Sequence, residues 1–159
     1  ANALLVAAAN YKWDDEKSFG TYTVAGNTVT ITVTEKGSDE GNKTGRDTMI
    51  DATARFLGAL HAEGAEAIKH NGKSYAWYDE GKLDGSNWTV NGAQYVDNKP
   101  SDGTTGNRNS LTYYIFGSNT EGYDVKGTCP ETVDLDVDGE SVTLNLVFGS
   151  GITADTKWD

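Results

Sequence analysis

The segment Tyr22-Thr23-Val24-Ala25-Gly26-Asn27-Thr28-Val29-Thr30-Ile31-Thr32-Val33-Thr34 constrains the fold more than any other part of this chain. Apolar and polar residues alternate on both sides of Gly26-Asn27, and a period of two sends successive side chains to opposite faces of a strand. With Gly26 and Asn27 as a two-residue loop, the segment is a β-hairpin in which Val24 faces Val29 and Tyr22 faces Ile31. Tyr22, Val24, Val29, Ile31 and Val33 then share one face, and Thr21, Thr23, Thr30, Thr32 and Thr34 the other. Threonine suits a solvated strand face, although such an array can also meet ice or another repetitive surface.

Two more hairpins follow the same logic. Asn71-Gly72 joins Ala67–His70 to Lys73–Tyr78, with Ile68, Tyr75 and Trp77 on one face. Asp138-Gly139 joins 132–137 to 141–148, with Val133, Leu135, Val137, Val142, Leu144 and Leu146 on one side. The run Leu111-Thr112-Tyr113-Tyr114-Ile115-Phe116 is predicted as a central strand from its β-branched and aromatic content. No repeat period emerges, which disfavours a solenoid or propeller.

Between the first two hairpins the periodicity changes. Met49, Ile50, Thr53, Phe56, Leu57 and Leu60 recur at helical spacing, Asp47 or Thr48 is placed to cap, and Gly64 to stop. This predicts one amphipathic helix around residues 48–63. The whole reads as a single α+β domain over residues 1–159, a mainly antiparallel sheet of several hairpins resembling a sandwich or partial barrel, with the helix on one face. The opening elements share only their order with a ββαββ grasp arrangement.

Composition excludes several classes of function. Formal net charge is −11, from 13 Lys and Arg against 24 Asp and Glu, and no stretch gathers the cations, so nucleic acid is not an expected partner. No run of about 18 apolar residues exists, so membrane insertion is not expected. The opening Ala1–Ala9 has no basic residues ahead of its apolar ones and does not read as a signal peptide. Cys129 is the only cysteine, so no intramolecular disulfide supports the fold.

Catalytic groups are not gathered in any motif. His61 and His70 are the only histidines, and neither a His-Glu-x-x-His spacing nor a Gly-x-Ser-x-Gly turn is present. Asp134-x-Asp136-x-Asp138-Gly139 imitates half of a calcium loop, but the position that should carry a bidentate Glu is Asn145, inside an alternating strand. The expectation is therefore no enzyme, no cofactor and no metal.

Two roles remain. In the first, the chain is a structural or assembly subunit of a fibre, surface layer, pilus-like structure or virion. Its apolar opening, with Leu4, Leu5 and Val6 at the centre, would then form a strand that pairs within the domain or with a neighbouring copy. In the second, it is a cell-surface module that reads glycan or protein through Trp13, Tyr75, Trp77, Tyr78 and Trp88. Both place the chain outside the cell, at its surface or on a virion, with further copies, another surface protein or a glycan as partner.

Overall fold

The computed structural model describes residues 1–13, 18–37, 42–74, 89–90, 93–94, 111–117 and 126–158. The elements run α1 (Asn2–Ala9), β1 (Gly20–Ala25), β2 (Thr28–Val33), α2 (Gly45–Ala62), β3 (Ile68–His70), β4 (Lys73–Ser74), β5 (Thr89–Val90), β6 (Ala93–Gln94), α3 (Leu111–Phe116), β7 (Thr132–Val137) and β8 (Glu140–Phe148). The class is α+β. Six strands form one sheet in the order β1-β2-β8-β7-β3-β4, and β5 pairs with β6 separately.

The hairpin registers follow from their turns. Val24 faces Val29 and Tyr22 faces Ile31 across β1 and β2. Gly26 has φ +60° while Asn27 is not left-handed, which is the geometry of a type II′ turn. Asn71 and Gly72, like Asp138 and Gly139, are both left-handed, as a type I′ turn requires. The predicted core face of the last hairpin, Val133, Leu135, Val137, Val142, Leu144 and Leu146, is buried throughout.

How the hairpins join departs from expectation. β8 runs parallel to β2, with Val29 beside Leu144 and Ile31 beside Leu146. The sheet is thus mixed and open, not a closed sandwich or barrel. A nine-residue strand with two apolar-faced neighbours occupies the centre, where both its edges are satisfied.

The helix α2 lies across the apolar face of this sheet. It begins three residues earlier than predicted, and its cap is Thr44, whose hydroxyl accepts from the Asp47 N–H while Asp47 accepts from the Thr44 N–H. Asp47 therefore completes a capping box from the third helical position and is not itself the cap. The closing segment also covers this end: Gly45 N–H donates to the Thr156 carbonyl and Arg46 N–H to that of Ala154. A Cβ on Gly45 would sit 2.0 Å from the Thr153 carbonyl oxygen, so only glycine admits that approach. Nor is α2 amphipathic in the ordinary sense, since Asp51, Thr53 and Arg55 are buried along with its apolar residues. Its second face is covered by α1 and α3.

Both of those helices correct the sequence expectation. The segment around Leu4, Leu5 and Val6 is helical, not a strand. Alanine has the highest helix propensity, and the helix turns Leu5 and Ala8 into the core together, which strand alternation would not do. The 111–116 run is also helical: Leu111 with Ile115, and Thr112 with Phe116, are buried at helical spacing. Gly117 follows with φ +70°, and the Arg46 guanidinium donates to the Phe116, Gly117 and Thr128 carbonyls. Packing against α2 and capping of the last carbonyls outweigh β propensity here.

Candidate functional site

Of the aromatics proposed to bind ligand, Trp13 is the one within the described residues; Tyr75, Trp77, Tyr78 and Trp88 lie outside them. Trp13 follows α1 and meets Tyr11 edge-on at 5.6 Å. The Arg55 guanidinium lies 4.0 Å from the centroid of the Trp13 ring and 5.5 Å from that of Phe19. A cavity of about 130 Å3 opens here, between the end of α1, the start of β1 and the middle of α2. Arg55 is only 3% exposed. Burying a permanent cation among rings is favourable only with compensating contacts, and the aromatic faces supply part of them.

Tyr22 forms the floor. Its hydroxyl donates to the Ala52 carbonyl at 2.7 Å, and its ring stacks on Phe56 at 5.7 Å. Burial raises the Tyr22 pKa well above the ordinary value, against the pull of Arg55 and with a smaller push from Asp51. The phenol is therefore a fixed neutral donor. Arg55 was not singled out from the sequence, although a lone charge between Ala54 and Phe56, four residues after Asp51, was a readable signal.

The second region is the sheet margin. Leu4, Leu5 and Val6, expected as an assembly strand, are distributed around α1: Leu5 is buried, Leu4 half-buried, and Val6 is 41% exposed. Beneath α1 lies β1, the end strand of the sheet. Thr34 N–H donates to the Phe19 carbonyl, so the hydrogen-bonded pairs are those two steps apart from it: Thr21 with Thr32, Thr23 with Thr30, and Ala25 with Thr28. The backbone groups of Gly20, Tyr22 and Val24 consequently point outward, and among the described residues no strand pairs with them.

At the other end of the sheet β4 is described over Lys73–Ser74, and the residues that follow it lie outside the described ones. β1 is six residues long and carries no charge and no proline.

The remaining candidates have local partners. Asp138 accepts from the N–H groups of Glu66 and Ala67, Asp136 from the Gly139 N–H, and Asp134 from the Thr143 hydroxyl. His61 donates through Nδ1 to the Ala65 carbonyl, and His70 to that of Asp134. The Cys129 thiol is half-buried, and burial raises its pKa despite Arg46, which disfavours the reactive thiolate. No helix among the described residues is long and apolar enough to cross a membrane.

Comparison of the chain with known protein families, with curated proteins and with solved structures gave no match.

Proposed function

We propose that this chain is a non-catalytic assembly subunit of an extracellular, cell-surface or virion structure, and that copies of it associate along the outer edge of β1. The observation that carries the reading is the edge of β1, which offers six uncharged residues with three sets of outward backbone groups and pairs with no further strand among the described residues. An unprotected edge templates the addition of another strand, with main-chain hydrogen bonds supplying affinity. The exposed Val6 on the adjoining α1 extends that edge with apolar surface. The chain thus contributes a strand from its own hairpin, since Leu4, Leu5 and Val6 are held in a helix.

Light scattering coupled to size exclusion, over a range of concentrations, tests this on the full chain. Assembly rises with concentration, and also with added salt, because screening weakens repulsion between chains of net charge −11. Thr21→Lys with Thr23→Lys places charge beside the edge on two exposed side chains, and Val24→Pro removes an outward N–H without breaking the β1–β2 ladder. Either change restores the monomer. A wild-type chain that stays monomeric at every concentration and salt level rejects the reading.

A further inference from the structure

The outer face of the sheet, opposite α2, holds a groove that assembly along β1 does not use. Its volume is about 560 Å3, inside the roughly 300–1,000 Å3 of sites for small organic ligands. Three polar side chains cross its floor in one row: Thr30 on β2 is in register with Asn145 on β8, and Asn145 with Thr132 on β7. Among the described residues none of these three side chains has a hydrogen-bond partner. Val147, on the same face of β8, also lines the groove and is 41% exposed. The wall is the stretch leading into β7, with Pro130 and Glu131. That stretch is tied at both ends, since Thr128 N–H donates to the Phe116 carbonyl and the Glu131 carbonyl accepts from Leu146 N–H. Glu131 is exposed and is the one charged residue among the described lining residues.

We propose that this groove binds an amino sugar, its ammonium paired with Glu131, its hydroxyls bonded to the row of Thr30, Asn145 and Thr132, and its C–H face on Val147 and Pro130. Three properties of the groove converge on that class. Neighbouring strands lie about 4.8 Å apart, so the row presents its polar groups at close to the separation of alternate equatorial hydroxyls on a six-membered sugar ring. Threonine hydroxyls both donate and accept, and the asparagine amide does the same, so the row suits a ligand whose groups also do both. A carboxylate with no cation among the described lining residues favours a positive ligand, and the net charge of −11 adds to that field. A wholly apolar ligand would leave the row without partners, and an anion would face Glu131.

The chitosan dimer, two linked glucosamine units, is the probe, at a mildly acidic pH that keeps its amines protonated. Cellobiose carries the hydroxyls without the charge, and butylamine the charge without the hydroxyls. Binding to the full chain is followed by the side-chain amide resonances of Asn145, assigned with Asn145→Ala. The chitosan dimer shifts them saturably in the millimolar range and binds about tenfold tighter than cellobiose, the gain that one charge-assisted hydrogen bond confers. Butylamine leaves them unmoved at the same concentrations. Glu131→Gln, at an exposed position, brings the chitosan dimer down to the affinity of cellobiose. Val147→Arg fills the groove from a second exposed position and weakens both sugars. Val24→Pro alters the β1 edge and changes neither, so the groove and the assembly are tested separately. The proposal is overturned if the chitosan dimer leaves the Asn145 signals unmoved, if cellobiose or butylamine binds as tightly, or if Glu131→Gln or Val147→Arg binds the dimer like the wild type.

Discussion

Tyr22 on β1 and Ala52 on α2 are joined by a 2.7 Å hydrogen bond from the phenol to a helix carbonyl, which ties the end strand to the central helix. The bond fixes how α2 sits over the hairpin, because the Tyr22 ring is simultaneously stacked on Phe56 one turn further along. A strand at the margin of the sheet is thereby anchored from its core face, while no strand among the described residues pairs with its outer edge.

Tyr22→Phe keeps the stacking and loses the donor. It lowers stability by about 1 kcal/mol, equivalent to roughly 2–4 °C in Tm for a domain of this size. The two proteins also diverge in alkali. Burial, opposed by Arg55 and aided by Asp51, holds the folded phenol above its unfolded value of 10.0. Its contribution is intact below pH 10 and is lost as the pH climbs from there toward the folded value, so wild-type stability falls more steeply above pH 10 than that of Tyr22→Phe. Urea titrations at stepped pH read the difference.

Thr44→Ala removes half of the capping box at the start of α2, and Thr44→Ser retains it. The alanine variant loses about 1 kcal/mol, while the serine variant remains within a few tenths of the wild type. The urea midpoint moves and the slope does not, because the folded and unfolded surfaces are unchanged.

Asp138 connects the last hairpin turn to the start of β3 through the N–H groups of Glu66 and Ala67. Its backbone is left-handed, at φ +51°, so Asp138→Gly removes the carboxylate without adding strain. That substitution costs roughly 1 kcal/mol. Asp138→Asn keeps an acceptor and a residue tolerant of this φ, and loses less. Thermal melts order the three proteins as wild type, then Asn, then Gly.

Thr53 is fully buried in α2, and its hydroxyl has no hydrogen-bond partner among the described residues. Thr53→Val preserves the branched shape and removes the unsatisfied group. Stability therefore rises by about 1 kcal/mol, seen as a higher Tm. A lower Tm would mean that the hydroxyl has a partner in solution.

The hairpins were legible because their information is local. Alternation around Gly26-Asn27 specifies both the register and the buried face of β1 and β2, and a one-residue slip would turn every valine outward. The Asp138-Gly139 hairpin is legible for the same reason. Position along the sheet is not local: nothing within residues 141–148 says that this strand lies parallel to β2. That placement depends on which apolar faces are left to cover once α2 has crossed the sheet.

The candidate sites divide along the same line. Trp13 was legible as a large aromatic among polar residues, but its contact with Arg55 joins positions 42 residues apart. Leu4, Leu5 and Val6 were legible as apolar but not as helical, because an apolar run carries no polar residues from which to read a period.

By itself, the sequence determined the turns, the alternating faces, the site of the long helix and the dearth of catalytic groups in any recognised motif. The tertiary structure alone decided that residues 2–9 and 111–116 are helical, that β8 lies between β2 and β7, and that Arg55 is buried under Trp13. The physical reason is one of magnitude. Turn geometry and period are set within a few residues, whereas helix and strand propensities differ by less than about 1 kcal/mol per residue, and burying one large apolar side chain contributes about 1.5–3 kcal/mol, so packing settles what propensity leaves open.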